Sequence, residues 1–458
     1  MRTRGVGRGF GRVALVLLAV LVLPARARAQ DQDRARHLSD SLATVYDRAT
    51  TEAVGLAPTA QLEDYLAYAA KQSPALQAAF YQWKSLVERS GYTGALPDPW
   101  ISYTYFIENV ETRVGPQNQR FMLRQSFPWF GTLGARTDIT LETANAAYQT
   151  FQSQTLKLFY QVKSAYYEYY YLGRDIAITR ENLELLKFWE SVARAKYRVG
   201  LKQHPDVIKA QVELGKLEDR LLTVEEMVRP VAARLRAVVN LPDTTHLPLP
   251  TEIEIEEVTV DRDSVVAQVF ANNPDLKSLL HLIDREKAAK RLATKLSLPS
   301  FFVGVDYVQT GEAVNPTLKD SGKDPWMASA GISLPIWFGA NKARTQEAEA
   351  QYRRARNNYV DAQNRLRALT EKILFEYEDA LRKTRLYRDG LVPKAEQSLN
   401  ANYTAYQAGE TDFLDLLDAQ RQLLDFQLQF ERSRSNLAIS RAEIELVAGI
   451  ALPTSENE

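Results

Sequence analysis

An internal duplication constrains the fold of this chain more than any other feature of its 458 residues. Short motifs of the first half return in the same order in the second half, at an offset that grows from 200 to 209 residues. The matched pairs are SPAL (73–76) with NPDL (273–276), FPWFG (127–131) with LPIWFG (334–339), and YRVG (197–200) with YQAG (406–409). Ordered matches of this kind indicate two copies of one structural unit, so the fold has to place each element twice.

Both halves follow the same order of elements, which predicts a mainly α-helical fold with a small β part. In each half, two strand-like runs precede a long segment that is poor in glycine and proline, and a return helix follows. At 1.5 Å per residue, each long segment makes a helix on the order of 100 Å long, whereas about 12 residues is usual in globular domains. The predicted ranges are 61–240 for the first repeat (strands near 98–130, long helix 133–199, return helix 205–240) and 263–452 for the second (strands near 299–337, long helix 340–408, return helix 412–448).

The first long segment carries a seven-residue apolar repeat, which is typical of helices that pack with a left-handed supercoil. Five tyrosines between residues 166 and 171 also surround this helix on several sides. That distribution favours a helix with neighbours on both sides, as in the wall of a helical barrel. Ordinary core aromatics of a helical bundle are the alternative.

The strand-like runs alternate between apolar and polar residues. The apolar positions are Ile101, Tyr103, Tyr105 and Ile107, then Phe121, Leu123 and Phe127, then Phe301, Val303, Val305 and Tyr307, then Trp326, Ala328, Ala330, Ile332 and Leu334. Such alternation suits strands that face lipid on one side and a polar lumen on the other, and it also fits a half-buried soluble hairpin. Four strands do not close a barrel within one chain, so a barrel requires an oligomer.

The N-terminus has the pattern of a signal peptide. Four arginines precede the apolar run 13–23, and Ala27 and Ala29 provide an A-x-A cleavage site, so residues 1–29 are predicted to be removed and the mature chain to begin at Gln30. An uncleaved membrane anchor is the alternative, although a run of this length is too short to span a bilayer. The six arginines of residues 1–29 leave 51 basic residues against 57 acidic ones in the remainder. This negative balance argues against nucleic acid as a partner.

The sequence lacks the motifs that are typical of most catalytic and metal sites. The chain has no cysteine, and its four histidines share no ligand spacing. It also lacks a G-x-S-x-G motif and a glycine-rich phosphate loop at the start of a helix. We therefore expect no enzyme, no cofactor and no metal site.

Taken together, the duplication, the strand pairs, the long helices and the FPWFG and LPIWFG motifs resemble the outer-membrane efflux proteins, the TolC-like outer-membrane factors. The resemblance extends from about Gln61 to Leu452, and FPWFG with the loop ETRVGPQ (111–117) points to the heavy-metal-efflux branch. It implies a homotrimer in which each chain gives four strands to a 12-stranded outer-membrane β-barrel in contact with lipid, and the helices form a trimeric α-barrel tunnel through the periplasm. Residues 30–60 and 241–262 are then equatorial segments, and 453–458 is a C-terminal tail.

The resemblance also implies partners and two kinds of site. The partners are a periplasmic adaptor (membrane fusion) protein and an inner-membrane pump, from which the duct carries small molecules or metal ions to the exterior. The adaptor-docking tips are the two helix-hairpin turns, Val199, Gly200 and Leu201 in one and Ala408, Gly409 and Glu410 in the other. The periplasmic gate is an acidic ring of Asp412, Asp415 and Asp418, because DLLDA (415–419) matches the family's gate motif.

Each site has a plainer explanation in the sequence. The glycines could simply end helices, Asp412 could cap the helix that follows, and the other aspartates could face water. The first-repeat counterparts of the three aspartates are Gln203, Asp206 and Lys209, so the acidic character belongs to one hairpin. Two other functions stay open at this level: a periplasmic coiled-coil adaptor or scaffold, and the exit duct of a type I protein secretion system.

Overall fold

The computed structural model of the chain describes residues 30, 32–46, 60–198, 204–253, 255, 257 and 260–450. The predicted signal peptide (1–29), the first-repeat tip (Val199, Gly200 and Leu201) and the tail (453–458) lie outside these residues. Everything below concerns the described part of the chain.

The elements follow the order expected of a duplication. Two short helices, two strands, a long helix and a return segment are followed by the same series again. The elements are α1 (residues 32–46), α2 (Leu62–Gln72), α3 (Pro74–Thr93), β1 (Trp100–Thr112), β2 (Gly115–Phe127), α4 (Thr132–Arg198), α5 (His204–Glu226), α6 (Val228–Val239), α7 (Arg262–Asn272), α8 (Pro274–Lys295), β3 (Phe301–Thr310), β4 (Trp326–Ile332), α9 (Phe338–Leu386), a π-helical turn (Tyr387–Leu391), α10 (Val392–Ala408) and α11 (Phe413–Ala448).

Two predicted helices are each divided, and a proline explains both divisions. The return helix predicted over 205–240 is α5 and α6, which meet at Met227, because Pro230 has no N–H to donate to the carbonyl of Glu226. The long helix predicted over 340–408 is α9 and α10, joined by the π-helical turn, in which the N–H of Val392 bonds to Tyr387 O. Pro393, the next residue, removes the ordinary i→i−4 bond there. The prediction of one continuous helix was wrong in both places.

The chain forms two compact units, and neither is a single repeat. One, the sheet unit, comprises Met1–Ser41, Tyr81–Tyr148 and Ser278–Val360; the other, the helical unit, comprises Leu42–Phe80, Gln149–Lys277 and Asp361–Glu458. Each unit takes segments from both halves of the chain. Elements of the two repeats therefore pack on each other, so the ranges 61–240 and 263–452 do not correspond to separate compact bodies.

In the sheet unit, four antiparallel strands lie in the order β1-β2-β3-β4. The central pair joins the two repeats, with Phe121 of β2 opposite Tyr307 of β3. One face carries a row of aromatic rings that crosses all four strands: Tyr103 to Phe121 at 5.1 Å, Phe121 to Tyr307 at 6.3 Å and Tyr307 to Trp326 at 5.0 Å between ring centroids. This face, exposed and apolar, follows the alternation seen in the sequence.

In the helical unit, the repeats end alike. Asn240 after α6 and Gly449 after α11, which are 209 residues apart, both adopt the left-handed conformation. The Asn240 side chain donates to Gln72 O at 2.9 Å, and Gly449 lies so close to Asn272 that a Cβ would come within 2.8 Å of its carbonyl oxygen. In the first repeat the side-chain amide of Asn240 therefore makes the contact with the end of α2, whereas in the second repeat the backbone of Gly449 lies directly against the end of α7. Within the described residues, no helix is apolar over enough of its length to cross a membrane.

Candidate functional site

The turn between α10 and α11 rests on a core shared by four helices. Leu186 and Trp189 of α4, Val207 of α5, Tyr406 of α10 and Phe413 of α11 are all buried in one apolar cluster. The rings of Tyr406 and Phe413 lie 5.4 Å apart on the two sides of the turn. Burial raises the pKa of the Tyr406 hydroxyl to about 12, so this side chain stays neutral. The cluster gives the turn a rigid base.

Gly409 ends α10 in a Schellman motif. Its φ is +84°, the N–H of Glu410 bonds to Ala405 O at 2.9 Å, and the N–H of Gly409 bonds to Tyr406 O at 3.2 Å. Ala408, Gly409 and Glu410 are all exposed. A Cβ at Gly409 would meet no atom within 4 Å, so the backbone angle, and not crowding inside the chain, requires glycine here.

Lys196, on the last turn of α4, holds the end of α10. Its ammonium donates to the carbonyls of Tyr406 at 2.7 Å and Gln407 at 3.1 Å, and it lies 4.6 Å from the centroid of the Tyr406 ring. A cation at a helix C-terminus satisfies carbonyls that have no partner within the helix and opposes the helix dipole. The first repeat therefore stabilises the predicted docking turn of the second.

The three aspartates of the predicted gate lie on α11 and are exposed. Asp412 is the N-cap residue with extended backbone, yet its side chain makes no capping hydrogen bond. Asp415 is in the first turn of the helix, where a negative charge is favourable. Asp418 accepts from Arg421 at 2.9 Å. The structure thus brings the predicted gate and the second docking tip into one continuous segment, 408–418.

Arg421 links the gate segment to α5. It pairs with Asp418 of its own helix and with Glu213, which is largely buried and also lies near Lys216. The Arg421 guanidinium beside Glu213 holds the pKa of that carboxyl below its usual value, against the opposing effect of burial. Of the two aspartates in the DLLDA motif, only Asp418 has its charge partly offset within the described chain.

The sequence analysis missed Lys196 and the Arg421–Glu213 pair. A lysine near the end of a long helix and an arginine three residues after an aspartate are recognisable signals, although neither identifies the partner on another helix. The partners are 210 residues (Tyr406) and 208 residues (Glu213) away along the chain.

The chain resembles known proteins over most of its length. A family model described as "Outer membrane efflux protein" matches residues 67–241 and 265–450. Nodulation protein T of Rhizobium leguminosarum bv. trifolii is 21% identical over 380 residues, which cover 78% of each chain. The structure of a membrane protein from Pseudomonas aeruginosa has a TM-score of 0.71 at 16% identity and covers 86% of this chain and 92% of its own. The Campylobacter jejuni CmeC outer membrane channel has a TM-score of 0.64 at 16% identity, with coverages of 86% and 87%.

Proposed function

Because this chain belongs to the outer membrane efflux protein family and is an outer-membrane exit duct of a tripartite efflux system, we propose that it works as a homotrimer that extends into the periplasm. In this assembly a periplasmic adaptor docks at the helical tips and connects the duct to an inner-membrane pump. Residues 1–29 direct export and are cleaved before Gln30. The cargo is small molecules or metal ions; the heavy-metal branch indicated by 111–117 and 127–131 stays a prediction.

The observation that carries the proposal is the four-stranded sheet. Its outer strands, β1 and β4, each have an unpaired edge in the single chain, and one of its faces is exposed and apolar. Unpaired backbone groups are costly in lipid, so a lipid-facing sheet has to close on itself. Pairing β4 of one copy with β1 of the next, three times over, closes a ring of twelve strands.

The proposed roles of the gate residues and of the docking tip depend on the same trimer. A threefold axis gathers three copies of Asp415 and three of Asp418 around one opening, where like charges attract cations. The exposed turn at Ala408, Gly409 and Glu410 presents backbone and no bulky side chain to an incoming helical hairpin. Its rigid base and the Lys196 cap keep that surface in one shape.

Three measurements on the protein expressed from the full-length sequence test the proposal. The expected result is co-fractionation with outer-membrane markers and a trimer band in unheated detergent gels that becomes a monomer band after heating. N-terminal sequencing of the same band is expected to begin at Gln30. A monomer that fractionates with periplasmic markers would instead favour an adaptor or scaffold and would overturn the proposal.

A further inference from the structure

The face of the sheet opposite the aromatic row is polar and carries two arginines. Cross-strand pairing places Arg124 opposite Gly304, which is in turn opposite Ser329 of β4, and places Arg120 opposite Val308. Asp306 is on the same face, because it is two residues from each of these partners on β3. These three residues, two cations and one anion, together carry a net charge of +1 in each chain.

Only one of the two arginines has a carboxylate partner. Arg120 donates its Nε to Asp306 Oδ1 at 2.8 Å, and Asp306 is almost completely buried. Arg124 forms no ion pair with any described residue, and its buried Nε has no hydrogen-bond partner among them. Its guanidinium instead lies 3.4 Å from the centroid of the Phe302 ring. The uncompensated charge on this face therefore belongs to Arg124.

Two glycines lie next to this stacked pair, and one of them, Gly331, creates the space for the Phe302 ring. A Cβ at Gly331, directly opposite Phe302, would lie 2.1 Å from a carbon of the Phe302 ring, so the ring occupies the space next to the backbone of β4 that a side chain would fill. A Cβ at Gly304, directly opposite Arg124, would lie 2.8 Å from Ser329 Oγ and 3.2 Å from Leu123 O. The Arg124 guanidinium therefore packs on the Phe302 ring, which in turn packs against Gly331. The cation–π contact stabilises the position of the guanidinium.

We propose that Arg124 is a charge-selectivity residue of the duct, forming a ring of three cations on the interior face of the closed sheet. The inference rests on the proposed trimer, in which the apolar face contacts lipid and the polar face lines the passage. Rings of arginine or lysine favour anions in pores, as rings of acidic side chains favour cations. The strand segment of the duct would then prefer anions.

Planar-bilayer recordings of purified full-length trimers under a KCl gradient test this inference. The chloride-to-potassium permeability ratio, taken from the reversal potential, should fall about twofold in Arg124→Gln, since the ring loses all three charges. Arg124→Lys keeps the charge and should restore most of the ratio. The matched control is Arg120→Met with Asp306→Leu, which removes equal and opposite charges and should leave the ratio unchanged.

A second readout uses inorganic tripolyphosphate as a multivalent anion. It should reduce the current of the original protein when it is added on one side of the bilayer, and this block should disappear in Arg124→Gln. Conducting Arg124→Gln trimers with an unchanged ratio and unchanged block would overturn the inference and leave the proposed function standing. Protein that forms no conducting trimers, with or without the substitution, would contradict the proposed function itself.

Discussion

The ammonium of Lys196 lies 2.7 Å from the carbonyl oxygen of Tyr406, so the end of the long helix in the first repeat caps the corresponding helix of the second. The same ammonium lies over the Tyr406 ring, whose other neighbour across the turn is Phe413. One side chain thus joins the two hairpins at the turn that is proposed to meet the adaptor.

Replacing Lys196 with Met should destabilise this end of the helical unit by about 1 kcal/mol, because two carbonyls lose a charged donor. The apparent melting temperature of the purified protein measures the effect. Lys187→Met is the matched control, since Lys187 forms an exposed ion pair with Glu184 on its own helix, which contributes little. Equal melting temperatures for the two variants would contradict the capping role.

Replacements of Gly409 separate turn formation from adaptor docking. Asn tolerates the left-handed conformation, so Gly409→Asn should keep the turn and the trimer while it adds a side chain to an exposed surface. Gly409→Val should also strain the backbone, by about 1–2 kcal/mol. We expect Gly409→Asn to form trimers, seen on unheated gels, and to lose efflux in cells. Normal efflux with Gly409→Asn would rule out docking at this turn.

Gly449 also has a left-handed backbone but, unlike Gly409, it is closely packed against another segment. A Cβ at this position would come within 2.8 Å of Asn272 O. Gly449→Asn should therefore lower the melting temperature, whereas Gly409→Asn should leave it nearly unchanged. Equal melting temperatures for these two variants would contradict the distinction between an open turn and a packed one.

Charge changes around the gate should shift ion selectivity in opposite directions. Asp415→Asn with Asp418→Asn should weaken the preference for cations in planar bilayers and relieve block by multivalent cations, since six carboxylates are lost from the trimer. Arg421→Gln should strengthen the preference, because Asp418 and Glu213 both lose their shared cation. Unchanged selectivity and block in the double aspartate variant would remove these residues from the gate.

Charges on the apolar face of the sheet should impair assembly. Val303 and Ile332 are each about half exposed on this face. A charge on the lipid face of a barrel is destabilising, by about 2–4 kcal/mol for Arg or Lys at the bilayer midplane and by less for Asp. Val303→Asp or Ile332→Asp should therefore reduce the amount of trimer in the outer-membrane fraction. Ser329→Asp, on the polar face, is the control and should assemble. Normal assembly of both apolar-face variants would disprove the assignment of this face to lipid.

The two repeats differ at the junction of their two short helices, where the first has Ser73 and the second has Asn273. Exchanging these residues should lower the melting temperature in one case and raise it in the other. The Asn273 side chain accepts from Leu276 N at 3.0 Å and donates to Val447 O at 3.0 Å. The hydroxyl of its counterpart Ser73 accepts from Leu76 N at 3.4 Å, and no bond from it to Val238 is seen among the described residues. Ser73 instead borders a groove of about 390 Å³ that is also lined by Val238, the counterpart of Val447. Asn273→Ser should cost about 1 kcal/mol for the lost hydrogen bond, and it should lower the melting temperature.

The reverse exchange, Ser73→Asn, should raise the melting temperature by adding a donor that reaches Val238 O. Both variants are compared with the original protein in the same thermal scan. If the melting temperature of Ser73→Asn is no higher than that of the original protein, the new side chain does not form the hydrogen bond to Val238 O that would correspond to the bond from Asn273 to Val447 O.

Features that depend on neighbours along the chain could be read from the sequence. The strands are located by their alternation, and Gly409 ends its helix because an αL residue is needed there, both of which are local properties. The divisions before Val228 and Val392 were equally predictable, since Pro230 and Pro393 each remove a bond four residues back. The low glycine and proline content of the long segment predicts one continuous helix, but a single proline is enough to divide it.

Contacts between distant segments were decided only by the tertiary structure. No local rule pairs Phe121 with Tyr307, Lys196 with Tyr406 or Arg421 with Glu213, because each pair forms only after the two repeats have packed together. For the same reason the compact units combine segments of both repeats. The sequence alone determined the type and the order of most elements, since backbone sterics and apolar periodicity act over a few residues. Which of those elements pack on each other depends on complementary shape and charge between segments that are far apart in the sequence. Only the tertiary structure shows these contacts.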